Sequence, residues 1–186
     1  MKTSSPYLIS GLLPGYEAIL HDGVYLILLH ATRIPPHILV SVNGKLFSLG
    51  VKGPVVDDEW KATLRLIKKH QIPTVFIKLS VPHLFTLDDL RDEIKKYTLS
   101  YPRVDIGIAT CLTPIKDFCA SVYDTETANV NFVYELLPKL YEQKVAGSCY
   151  QMFLEKYLTL HQFKLPMYSM NDIFEGIRKV KSGIAV

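Results

Sequence analysis

The sequence predicts an α+β fold: a small antiparallel sheet with an N-terminal hairpin, and helices packed against it. Three observations predict it. The first fifty residues carry short β-rich apolar runs. Asn43-Gly44 separates two of those runs, the strongest short-range signal of a hairpin, because a type I′ turn needs positive φ at both central residues. From about residue 57 the apolar period changes from 2 to 3.6, so helices follow strands.

Taken in order, Glu17–Leu20 and Val24–His30 read as strands around the turn signal His21-Asp22-Gly23. After Pro35-Pro36, His37–Val42 and Lys45–Gly50 form the two arms of the Asn43-Gly44 hairpin. Asp57 or Asp58 caps a helix running to about His70, with Trp60, Leu64 and Ile67 on one stripe. Thr74–Leu79 is a strand. Thr86 caps the next helix, whose apolar stripe is Leu87, Leu90 and Ile94, with Asp88 and Asp89 at its positive end. Val104–Ala109 alternates like another strand. Thr113-Pro114 opens a helix, Pro being favoured in the first turn. Helices are predicted over 130–143, 149–161 and 171–181, with Ser148 and Asn171 as caps of the last two.

The chain has 186 residues, 48% hydrophobic and 21% charged, which suits one globular domain spanning 1–186 and excludes a disordered chain. No linker, repeat or low-complexity segment divides it. A net charge of +3 makes no electrostatic case for nucleic acid. Three cysteines, without a CxxC pair, argue against a disulfide framework and for a reducing setting. The start is a poor signal peptide, and the longest uncharged apolar run falls far short of the roughly 20 residues of a membrane span. A cytoplasmic protein is therefore expected, with no membrane span. Phosphate-loop, dinucleotide, GxSxG and HExxH patterns are absent, and the six histidines are dispersed. No cofactor and no metal is predicted.

The candidate chemistry is a histidine with a cysteine. His37 begins a strand behind two prolines, a rigid mount for a general base. Cys111 stands two residues before the Thr113 cap, and Cys149 follows Ser148 near a predicted helix start. A helix N-terminus lowers a thiol pKa and offers backbone N–H groups to an oxyanion. Cys119 lies inside a helix and reads as a small buried hydrophobe.

The stretch His37-Ile-Leu-Val-Ser-Val-Asn-Gly-Lys-Leu-Phe-Ser-Leu resembles the histidine motif of the circularly permuted papain-like families. These are the NlpC-like permuted peptidases, the lecithin:retinol acyltransferase group and the PPPDE deubiquitinase-like group. Leu12-Leu13-Pro14-Gly15 is similar to the segment that precedes the histidine there. In these families the nucleophilic cysteine follows the histidine, at a helix N-terminus. Here His37 lies 74 residues before Cys111 and 112 before Cys149. Cys111-Leu-Thr-Pro-Ile-Lys-Asp-Phe looks more like the family's cysteine box, while Cys149 has the cleaner predicted helix start. The sequence departs from the pattern in three places. Tyr16 stands where an acidic residue is common, Ser48 falls at the third triad position, and Thr110 or Ser148 replaces the Asn that often precedes the cysteine.

The resemblance implies a permuted papain-like fold and a thiol hydrolase or acyltransferase. His37 would be the base, Cys111 or Cys149 the nucleophile, Ser48 the orienting residue, and the partner an amide or ester substrate. The rival expectation is a non-catalytic interaction domain, with Tyr134, Tyr141, Tyr150, Tyr157 and Tyr168 facing a partner.

Overall fold

A computed structural model describes residues 7–15 and 21–183. Among these residues it is a mixed α+β structure with ten strands in two sheets and five helices. In chain order these are β1 (Leu8–Ile9), β2 (Leu12–Pro14), β3 (Val24–Leu29), β4 (His37–Val42), β5 (Lys45–Gly50), β6 (Gly53–Glu59), α1 (Trp60–His70), β7 (Thr74–Leu79), α2 (Leu87–Leu99), α3 (Thr113–Tyr123), α4 (Val133–Glu142), β8 (Ala146–Met152), β9 (Leu158–Thr159), β10 (Gln162–Lys164) and α5 (Met170–Lys181). The strand expected at Glu17–Leu20 lies outside the described residues.

The main sheet is larger than the sequence suggests. Its seven strands run in the order β2-β8-β7-β3-β4-β5-β6, and every neighbouring pair is antiparallel except β2 with β8. A second sheet has the order β1-β10-β9. Strand β3, Val-Tyr-Leu-Ile-Leu-Leu, is apolar without alternation because both of its faces are covered. Leu26, Val40, Phe47 and Ile77 face a core shared with the buried stripes of α2–α5. Tyr25, Leu39, Leu46 and Phe76 face the opposite way, onto Trp60, Leu64 and Ile67 of α1. The sheet is thus sandwiched between α1 and the other four helices.

Several local expectations hold. Asn43 and Gly44 have φ of 48° and 77°, and Val42 pairs with Lys45, as a two-residue turn requires. Thr86 and Asp89 close a capping box on α2.

Others differ, each for a physical reason. Residues 53–59 continue the sheet as β6, and α1 starts at Trp60 behind Glu59, with no side-chain cap. Asp57 instead accepts hydrogen bonds from Arg91 and Lys95 at 2.6 and 2.5 Å, tying α2 to the sheet edge. Residues 104–109 are a tight loop, not a strand. Asp105 and Ala109 close it as one isolated bridge around Gly107 at φ 76°, and the Asp105 side chain accepts from the Ile106 amide. Residues 149–161 are not a helix. Strand β8 pairs on both sides, with β7 and β2, and this tertiary pairing overrides the local pattern. A short 3-10 turn at Glu155–Tyr157 and strands β9 and β10 follow it. Helix α5 is capped by Ser169 with Asp172 at N3, two residues before the expected Asn171. The tyrosines do not form one partner-facing stripe: Tyr134, Tyr141 and Tyr168 pack on the α2–α5 side, and Tyr150 packs on the α1 side.

Candidate functional site

A cavity of about 610 Å³ opens where the start of β4, the end of β5, the N-terminal approach to α3 and one side of α5 converge. That volume lies within the usual range for small-molecule pockets. Its walls are largely apolar, with Leu49, Val104, Leu112, Ile173 and Ile177 among them. Two of the four candidate residues line it, His37 and Cys111.

Cys111 is placed by a short polar scaffold. The Thr110 amide donates to the Thr113 hydroxyl at 2.9 Å, and the Leu112 amide donates to the Thr110 hydroxyl at 3.2 Å. These bonds turn the chain sharply into α3, whose N-cap is Leu112, so Cys111 immediately precedes the helix cap. Cys111 as a residue is half-buried. Burial pushes its pKa up. The nearby backbone of Ile38, Cys111 and Leu112 pulls the other way, less strongly than burial.

His37 opens β4 opposite Leu29. Burial lowers its pKa, so the imidazole is neutral at pH 7. Alternation along the strand puts Ile38 on the helical side and His37 on the side of Leu39 and Ser41. The ring and the thiol thus approach the cavity from opposite sides of the strand end, and no hydrogen bond joins them in this arrangement. His30 and Arg33 of the β3–β4 connection also line the cavity. Burial, then the charges of Arg33 and His37, hold the His30 pKa down at about 4.

Ser48 and Cys149 stand elsewhere. Alternation from Leu46 puts Ser48 on the same sheet face as His37, but it pairs with Val55 of β6 and is not among the described cavity-lining residues. Cys149 sits in the middle of β8, opposite Ile77, three strands from β4, and no helix begins there. Its sulfur lies 2.7 Å from the Tyr141 hydroxyl, and only 3% of the residue is exposed. Cys119 is fully buried in α3, which raises its pKa to about 12.

Sequence reasoning missed the wall supplied by α5, and it set Tyr168, the residue before the cap of that helix, in a partner-facing stripe rather than in the cavity wall. The signal present was the helical spacing of Ile173, Ile177 and Val180, which marks a covering face but not what it covers. Among the described residues, no three His, Cys, Asp or Glu side chains are grouped to hold a metal ion, and no helix is long and apolar enough to cross a membrane. Comparison of the chain with protein-family models, curated proteins and solved structures gives no match in any of the three.

Proposed function

We propose that this protein is a cysteine-dependent hydrolase or acyltransferase on a permuted papain-like architecture, acting on an amide or ester at Cys111. The observation that carries the reading is a half-buried cysteine immediately ahead of the α3 cap, in the wall of a ligand-sized cavity that His37 also lines. Amides at a helix start stabilise a thiolate before attack and an oxyanion after it. In this reading His37 is the base. Its neutral form is the one able to accept a proton, and it lines the same cavity as the sulfur. The Cys111 proton passes to the imidazole, and the sulfur adds to the carbonyl carbon. The leaving amine or alkoxide departs with that proton, and water or an amine then releases the acyl group from the thioester.

The test is capture of the acyl-enzyme. The protein is mixed with a p-nitrophenyl ester, and intact mass with peptide mapping locates any adduct. An acyl group on Cys111 is expected, absent in Cys111→Ser and formed at least about 100-fold more slowly in His37→Ala. No adduct, or one that persists in Cys111→Ser, overturns the proposal. A second reading, a non-catalytic binding domain, is favoured by one observation: no carboxylate among the described cavity residues orients the imidazole. It predicts no adduct at all.

A further inference from the structure

A second cavity, of about 500 Å³, adjoins the first and shares two of its lining residues, His30 and Arg33 of the β3–β4 connection. Its other walls come from the end of α1, with His70 and Gln71, and from the 3-10 turn after β8, with Lys156 and Tyr157. The two cavities differ in character. Apolar side chains dominate the first, whereas polar and charged side chains dominate the second.

The charge of the second cavity has one sign. Arg33 and Lys156 bring positive charge to it from two segments far apart in the chain, and no Asp or Glu is among its described lining residues. Glu155, beside Lys156 in sequence, instead accepts the Gln151 side-chain amide at 3.1 Å. The Lys156 ammonium stands 5.2 Å from the centroid of the Tyr157 ring. At the end of α1 the Ile67 and Lys68 carbonyls accept the Ile72 and Gln71 amides, which blunts the negative end of that helix where it meets the cavity. Thr32, Gln71 and Tyr157 add neutral hydrogen-bond donors. A cleft lined by one sign of charge concentrates ligands of the other sign.

We infer that the two cavities form one binding site for an anionic amphiphile, with the apolar chain in the first, the anionic group in the second, and His30 and Arg33 at the junction. The first cavity is of a size that holds a chain of about ten carbons against Leu49, Val104, Leu112, Ile173 and Ile177. It too has no Asp or Glu among its described lining residues. Each half of such a ligand thus meets the surface that suits it, and a cationic ligand is repelled. This inference deepens the reading of Cys111 as the nucleophile and rests on it for the bond that is cut. The acyl chain lies beside Cys111, and the anionic group belongs to the leaving side of the ester or amide.

The experiment measures binding of decyl phosphate to the whole chain by titration calorimetry, below the micelle concentration, against decanol and decyltrimethylammonium. Decyl phosphate is expected to bind at least about tenfold more tightly than either. Lys156 is exposed, so Lys156→Glu reverses a charge without disturbing the core. It should weaken decyl phosphate at least about tenfold and leave decanol unchanged, which also shows that the variant is folded. Val180 lines the first cavity and is 43% exposed. Val180→Asp puts a carboxylate against the chain and should weaken both decyl phosphate and decanol. Decanol binding as tightly as decyl phosphate, or decyl phosphate binding unchanged in either variant, overturns the assignment. Decyl phosphate has no carbonyl to attack, and Cys111→Ser should bind it like wild type, so the two proposals fail separately. Selective binding without an acyl adduct keeps the amphiphile site and removes the hydrolase; an adduct without selective binding does the reverse.

Discussion

His30, in the β3–β4 connection, and His37, at the start of β4, line the same cavity, and burial lowers both pKa values. Unfolded, each titrates near 6.5, so below that pH the unfolded chain binds protons that the folded chain refuses. Their contribution to stability is therefore complete above about pH 6.5 and is lost as pH falls toward about 4, the folded value of His30. The depressed carboxylates act in a lower window. Lys95 and Arg91 hold Asp57 below its ordinary range, and the capping bonds of Thr86 do the same for Asp89, so both lose stability only below about pH 4. The melting temperature is expected to fall between pH 6.5 and 4, with a shallower slope in the His30→Gln, His37→Gln double variant. Equal slopes by scanning calorimetry would show that these rings are not buried as described.

At the scale of elements, the hairpin is the best-defined piece. Gly44 has φ 77°, and an added Cβ would sit 3.4 Å from Nδ1 of His21. The Gly44 carbonyl accepts the Trp60 amide at 3.1 Å, so the turn also anchors the start of α1. Gly44→Val places a β-branched residue at positive φ, and a cost of about 1–3 kcal/mol is expected in urea unfolding. A variant as stable as wild type would contradict the turn. This element was legible because its information is local: two residue types with a conformational requirement, flanked by alternating apolar residues. The segment around Cys149 was not legible. Gly147-Ser148-Cys149-Tyr150 carries an acceptable helix-start pattern, and only the presence of β7 and β2 on either side makes it a strand. With that change Cys149 loses the helix terminus that made it a candidate, and its thiol is raised in pKa by burial, against a lowering by the Tyr141 hydroxyl.

At the scale of the molecule, the cavity exists because α5 returns to the N-terminal half of the chain. Two core side chains, Ile173 and Ile177, seat the helix, and Lys181 reaches Asp105 at 2.6 Å. Gly176 lets it approach the β3–β4 connection, where an added Cβ would lie 3.4 Å from Cδ of Pro35. Gly176→Phe overfills this contact, at a cost of about 1–3 kcal/mol. Hydrogen exchange across 170–181 should accelerate at least about tenfold, while β3 and β7 keep their protection. Unchanged exchange in α5 would mean that the helix is not seated on Pro35.

The sequence by itself determined the α+β class, the hairpin, the cap of α2, the stripe of α1 and the placement of a cysteine just ahead of α3. Each is written within about a dozen neighbouring residues, where propensity, turn chemistry and period act. Tertiary structure alone decided which cysteine shares a cavity with His37, since 74 intervening residues encode no distance. It also decided that Ser48 lies off the cavity, that 104–109 closes on itself as a loop, and that Tyr168 and α5 form a wall. Those outcomes depend on strand order and on the packing of distant segments. The free energy of burying α5 on the sheet comes from surfaces that meet only after the chain has folded.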